Sequence, residues 1–286
     1  MVKERRRKKN LLTFLLFSSA FILMGYPYIA NYIFEHRTDS IVETTKKLEK
    51  NMEDKIKEES VDEINIYNRE LYSGRIQLQD PFKETVQEKE TGKYNELLNI
   101  NGSGIMGSII IPAIHVKLPI YHGTSKKILE KGIGHLEGSS LPIGGENTHT
   151  VLTGHTGLSN AKLFTDLSEM QEGDFFFLNI LGDQLVYQIN QIKIVLPTEL
   201  EELYIKKGKD YCTLVTCTPY GVNTHRLLVR GERIEEEEII ADKGNFEKKK
   251  IESIWMKEYK QALKVSLGIL GGSFIILIFL RKFTDH

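Results

Sequence analysis

The 286-residue chain has little cysteine, little proline and almost no net charge. Two cysteines cannot build a disulfide-rich scaffold or a four-cysteine zinc site. Seven prolines and 23 glycines, without an internal repeat, exclude collagen-like and proline-rich low-complexity chains. Lys and Arg number 38 against 39 Asp and Glu, so the basic excess of a nucleic-acid binder is missing. Acidic residues are plentiful but show none of the spacings of calcium loops or zinc sites, and no metal or other cofactor is expected. These averages conceal an uneven chain, apolar at both ends and polar between them.

The first apolar run, Leu11 to Phe34, holds no charged residue and is long enough to cross a bilayer core of about 30 Å. It follows a basic cluster of Lys3, Arg5, Arg6, Arg7, Lys8 and Lys9, which predicts a cytoplasmic N-terminus. A cleaved signal peptide would need a cut after Ala30, and Tyr28 is too large for the small-residue pattern of such a site. A retained anchor is the better reading. The second run, Ala262 to Leu280, has no polar face and is followed by Arg281 and Lys282. Lys264, near its start, has a stem long enough to reach the interface. The expected topology has two spans with residues 1–10 and 281–286 in the cytoplasm and the middle outside the cell.

The outer part begins with a charged stretch in which Ile41, Thr45, Leu48, Met52 and Ile56 fall on one helical stripe, the pattern of an amphipathic stalk. Residues 104–234 change texture. Short apolar runs at 108–111, 116–121, 150–153, 174–178, 184–189, 193–196, 213–216 and 226–230 are separated by turn residues, which predicts a closed or nearly closed β-barrel of eight strands. Segments 125–130 and 161–167 read as short helices, and 235–261 as a charged tether.

Cys217 closes the strand at 213–216, and Arg226 lies on the next strand beyond a Pro- and Gly-containing turn. A hairpin centred between Gly221 and Val222 would place the two directly opposite each other, on one face. A guanidinium there favours the thiolate and offers donors to a developing oxyanion. Taken alone, such a cysteine is also compatible with a small buried apolar residue beside a surface arginine. Cys212 lies an odd number of residues upstream, so its sulfur faces the other way and an intrachain disulfide is not expected. A thiol nucleophile needs an imidazole as proton carrier. His155, between Gly154 and Gly157 after an apolar strand, has the best setting. His115, His122, His135 and His149 read as hydrogen-bonded structural residues, His225 faces away from its neighbour Arg226, and His36 and His286 flank the spans.

These residues together resemble a known family. Thr213-Leu-Val-Thr-Cys217 matches the Thr-Leu-x-Thr-Cys signature of sortases, while Thr153-Gly-His155 and Asn223-Thr-His-Arg226 are similar to that family's histidine and arginine boxes. The resemblance covers the central domain, with three boxes in the family's order. Two further features are similar to the class C, pilus-building branch of Gram-positive bacteria. One is the pair of apolar runs. The other is Asp80-Pro81-Phe82, which resembles the Asp-Pro-aromatic motif of a lid and places that lid, with the stalk, in residues 35–103.

The resemblance implies a mainly β protein with an eight-stranded sortase-type barrel, and a transpeptidase acting on an LPXTG-like sorting signal. Cys217 would attack the Thr carbonyl, Arg226 would hold the oxyanion, and His155 would protonate the leaving Gly amine. The thioacyl enzyme would then pass to a lysine of a pilin subunit, polymerising pilin. Asp80 would pair with Arg226 and Phe82 would cover Cys217. The implied partners are pilin subunits and membrane lipid, with no nucleic acid. Three other readings stay open: a cell-surface cysteine protease, a non-catalytic membrane scaffold, and a housekeeping sortase that joins proteins to cell-wall precursor.

Overall fold

The computed structural model describes residues 2–74, 78–83, 92–99, 102–158, 160–235 and 253–284. The chain divides into two compact units. One comprises Met1–Phe34, Ser159–Ala161 and Glu252–His286; the other comprises Glu35–Leu158 and Lys162–Ile251.

The first unit is built on two helices, the N-terminal part of α1 (Val2–Lys50) and α5 (Ile254–Thr284). Phe17 meets Phe274 edge-on at 5.6 Å, Tyr28 stacks on Tyr259, and the Tyr259 hydroxyl donates to the Met24 carbonyl at 2.8 Å. Among the described residues one helix, running from Leu11 to Lys50, is long and apolar enough to cross a membrane, where the sequence predicts two. The second predicted run lies in α5, whose first turns carry Lys257, Glu258, Lys260 and Lys264; from Leu277 on its side chains are outside those described. The basic flanks Lys3 to Lys9 and Arg281–Lys282 also lie outside the described side chains, and most of the predicted tether, 236–252, lies outside the described residues.

Helix α1 continues without a break past Phe34, so the expected anchor and stalk share one helix. The predicted stripe is interrupted, because the chain turns at Asn51–Glu53 before α2 (Asp54–Ser73) begins. Leu48 and Ile56 are exposed, and the buried line is instead Thr38, Val42, Thr45 and Glu49. These four also recur at helical spacing, one step round the helix from the apolar set. The α2 helix buries Ile64, Asn68 and Leu71. The Asn68 amide donates to the Leu141 carbonyl at 3.1 Å and accepts from the Leu141 N–H at 2.8 Å, satisfying a backbone pair as a strand would.

The second unit contains a closed barrel of eight strands: β1 (Ile105–Ile111), β2 (Val116–His122), β3 (Ile133–His135), β4 (Thr148–Thr153), β5 (Phe175–Ile180), β6 (Asp183–Val195), β7 (Asp210–Thr218) and β8 (His225–Ile234). Their order around the barrel is β1-β2-β3-β4-β7-β8-β6-β5. The β2–β3 and β4–β7 pairs are parallel and the rest antiparallel. Helix α3 (Gly92–Glu96) precedes the barrel and α4 (Lys126–Leu129) links β2 to β3. The strand count agrees with the sequence, but its membership differs. The runs at 184–189 and 193–196 form a single strand, β6, whose register shifts between Ile189 and Gln191. The three-residue β3 is too short to show an alternation.

All six residues of β4 are buried, as is most of β7, because both faces of this part of the sheet are covered. Leu152 and Leu214 alternate with Val151 and Val215, and the latter pair forms an outer apolar cluster with Leu228, Leu136 and Leu203.

Two of the histidines assigned a structural role stabilise the unit as neutral rings. The His135 Nε2–H donates to the Ser140 carbonyl at 2.9 Å while Nδ1 accepts from Tyr94 Oη at 2.9 Å. The His149 Nδ1–H donates to the Tyr204 carbonyl at 3.0 Å and Nε2 accepts from Thr213 Oγ1 at 2.7 Å. Burial lowers both to about 4. The unfolded chain therefore binds protons that the folded chain refuses, and stability present above pH ~6.5 is lost as the pH falls towards 4. A decrease of that size corresponds to about 3 kcal/mol per histidine. Denaturant midpoints should fall steeply between pH 6.5 and 4, and a His149→Gln variant should show a shallower slope. An unchanged slope would remove His149 from this account.

Candidate active site

The hairpin of β7 and β8 pairs Cys217 with Arg226, the register expected from the turn. The thiol is half-buried and Arg226 is buried. Cys212 is fully buried and both cysteines are free. Four hydrogen bonds hold the guanidinium of Arg226. Arg226 Nε and Nη2 donate to the two oxygens of Asp80 at 2.8 and 2.7 Å, a parallel two-point ion pair. Nη1 donates to the carbonyls of Asn223 and His225, both at 3.1 Å. The turn after β7 thus orients the side chain, and Asp80 occupies the edge left over.

His155 reaches the same region through a staple to β7. Gly154 donates its N–H to the Val215 carbonyl at 3.0 Å, and its own carbonyl accepts from Thr216 Oγ1 at 2.7 Å. Gly154 has to be glycine, because a Cβ there would lie 2.7 Å from the Phe164 ring and 2.8 Å from Ile133. The histidine loop is therefore fixed to the strand that ends in Cys217. The Phe82 ring contacts both Arg226 and His155, with the Arg226 Cζ 5.0 Å from its centroid and the His155 ring 5.7 Å away. Asp80, Phe82, Arg226, His155 and Cys217 thereby belong to one site. Pro81 lies between the two contact residues, where its fixed φ stiffens the turn.

The electrostatics are those of a protonated thiol. Burial raises the Cys217 pKa, Arg226 opposes that, and Asp80 adds to it by cancelling the guanidinium. Burial lowers the His155 pKa, with Glu130 opposing and Lys126 reinforcing the effect. Both groups are thus pushed toward their neutral forms. Among the described residues no three His, Cys, Asp or Glu side chains gather as a metal site.

Leu78 escaped the sequence reading. It is buried, two residues before Asp80, in the outer cluster of Val151, Val215 and Leu228, against which Phe82 also packs. A lone contact residue in a polar stretch has no period to mark it. Of the remaining histidines, His122 bonds the carbonyls of Gly104 and Leu97, while His115 caps a short turn at φ 52.

Comparison with known proteins agrees with the fold. Residues 109–234 match the family model described as Sortase domain. Sortase D of Bacillus subtilis is 32% identical over 131 residues, 45% of this chain and 63% of that protein. Sortase A of Streptococcus agalactiae is 31% identical, covering 45% of this chain and 52% of that protein. The chain thus spans between about half and two thirds of these curated relatives. A crystal structure of Streptococcus pneumoniae sortase C, studied for its catalysis and pilin substrate specificity, is 43% identical with a TM-score of 0.64, covering 68% of this chain and 97% of that one. Sortase C-1 of Actinomyces oris is 45% identical with a TM-score of 0.59, covering 63% and 99% respectively. From its barrel, its signature strand and these likenesses, the chain belongs to the sortase family of cysteine transpeptidases, with class C pilin sortases as its structural neighbours.

Proposed function

We propose that this protein is a membrane-anchored transpeptidase that cleaves an LPXTG-like sorting signal between Thr and Gly and joins the new carboxyl end to a pilin lysine. The observation that carries this reading is the pairing of Cys217 with Arg226 beside a histidine loop stapled to the same strand. With the lid open, the Cys217 thiol passes its proton to His155, the resulting thiolate attacks the Thr carbonyl carbon, and the carbonyl electrons move onto oxygen. Arg226 donates to that oxygen. The tetrahedral adduct collapses, the C–N bond to Gly breaks, and His155 gives its proton to the leaving amine. The resulting thioester is more open to amines than an oxygen ester, which suits transfer over hydrolysis. A lysine amine, deprotonated by His155, then displaces the thiolate and leaves an isopeptide bond.

This sequence of steps needs Arg226 free of Asp80, so the described arrangement is a resting state with the lid closed. Asp80–Arg226 pairing favours the pilus-building reading over the housekeeping one. Residues 1–10, 11–34, 35–103, 104–234, 235–261, 262–280 and 281–286 are proposed as cytoplasmic segment, first span, stalk with lid, catalytic barrel, tether, second span and cytoplasmic tail. Anchoring in the plane that holds the substrates raises their effective concentration. Mass spectrometry of the reaction with a sorting-signal peptide and a lysine-bearing pilin domain tests the reading. An isopeptide-linked product is expected, and hydrolysed peptide alone would turn the assignment to a protease.

A further inference from the structure

Strand β6 has 13 residues and β5 has 6, and the two pair only over Asp183–Gln188 of β6. The last link is Ile189, whose N–H donates to the Asp174 carbonyl and whose carbonyl accepts from the Gly173 N–H, both at 2.8 Å. There the neighbouring chain leaves the sheet, with Gly173 at φ 91, a turn that glycine makes without strain. From Asn190 to Val195, β6 has β8 along one edge and, among the described residues, no backbone partner along the other.

Proteins blunt such edges with charge, proline or a bulge. The irregularity in β6 sits at the start of the open stretch, between Ile189 and Gln191. The one charge beyond it, Lys193, is drawn onto the Glu202 carboxylate. What remains is apolar, since Ile194 is 65% exposed and Leu196, one residue past the strand, is 46% exposed. Alternation puts both on the face away from Val195, which packs with Phe82 against the outer apolar cluster.

An open edge offers backbone donors and acceptors at fixed spacing, and another extended backbone satisfies them together. A second copy of this chain, pairing over so short an edge, would bury far less than the roughly 1,200 Å² of a stable interface. The edge suits a guest that leaves after each reaction. Val195 is paired with Arg226, and Arg226 with Cys217, so the open stretch ends level with the thiol. A strand added there would lie three strand spacings from β7, roughly 14 Å. Once the thioester forms, the donor is held covalently, whereas the acceptor brings only an amine.

We propose that the open edge of β6, Asn190–Val195, docks an extended segment of the acceptor protein, which adds as a strand and sets an apolar side chain against Ile194. This rests on the transpeptidase reading and deepens it by naming what holds the amine-bearing partner. The reacting lysine comes from a neighbouring part of that partner's fold.

The test uses the full chain in detergent, a sorting-signal peptide as donor, and two acceptors: a folded lysine-bearing pilin domain and Nα-acetyl-lysine amide. Ile194→Lys with Leu196→Lys places charges on the edge at exposed positions. It is expected to raise KM for the domain about tenfold, with KM for the small amine and both kcat values within about twofold of the parent's. Ile194→Val, which stays apolar and β-branched, should keep the parent's KM. An unchanged KM for the domain, or an equal rise for both acceptors, overturns the proposal. If the double variant does not fold, Ile194→Thr should raise KM for the domain about threefold, and no rise overturns it equally. A parent that dimerises in sedimentation while the double variant is monomeric would give the edge to a second copy and overturn it too. Amide exchange is a readout independent of transfer: adding the pilin domain should slow exchange in residues 190–195 about fivefold in the parent and leave the double variant unchanged. A parent that transfers to neither acceptor defeats the transpeptidase reading, and the edge is then judged by exchange alone, where no slowing overturns it.

Discussion

Replacing Cys217 with alanine is expected to reduce peptide transfer at least about 10⁴-fold, equivalent to about 5.5 kcal/mol of transition-state stabilisation. No other described group near Arg226 can form the thioester. Cys212, the second cysteine, is buried on the opposite face and free, so Cys212→Ala is the matched control. It should retain transfer while losing about 1 kcal/mol of stability through a small buried cavity. Cys217→Ala, at a half-buried position, should unfold within about 2 °C of the parent. Quantifying product by mass spectrometry beside thermal unfolding separates chemistry from folding. Transfer that survives in Cys217→Ala would remove the thiol from the mechanism.

The second large effect concerns the lid. Asp80 makes two charge-assisted hydrogen bonds to Arg226, with side chains 14% and 11% exposed, and Phe82 lies between that guanidinium and His155. Such a partly buried two-point pair, offset by the water it displaces, stabilises closure by about 2 kcal/mol, and the aromatic contact contributes about 0.5 kcal/mol more. Asp80→Ala with Phe82→Ala is therefore expected to increase the rate of Cys217 labelling roughly 30-fold or more. The pH profile moves as well. Burial and Asp80 both raise the thiol pKa in the closed form. Losing both lowers it, so the rise of labelling with pH should begin at lower pH in the double variant. A rate and profile identical to the parent's would mean that residues 78–83 do not control access.

How far these features were legible depends on the range of the interactions. The Cys217–Arg226 pairing followed from turn position and a period of two, since a hairpin this short admits few registers. The barrel followed from the spacing of apolar runs, although β3 is too short for a period and the bulged β6 read as two strands. The stripe on the stalk was right at Thr45 and off elsewhere, since Leu48 and Ile56 are exposed while Thr38, Val42 and Glu49 are buried. Burial of Thr38, Thr45 and Glu49 depends on what packs against them, and Glu49 accepts a hydrogen bond from the Leu181 N–H at 3.1 Å, far along the chain.

Local chemistry written in the sequence, meaning signature strand, hairpin, glycine-flanked histidine and N-terminal apolar run, therefore determined the kind of protein and its candidate nucleophile. The closing pair of Asp80 and Arg226 was implied only by the family resemblance, not by any spacing, and how the site is shaped was decided by tertiary structure alone. Asp80 meets Arg226 across 146 residues, Leu78 enters an apolar cluster that no periodicity announces, and Glu202 gathers charges from two strands and its own connection. Spacing along a chain encodes neighbours within a helix turn or a hairpin. Contacts between distant segments arise only when burial brings their surfaces together, and there packing and desolvation choose the partners.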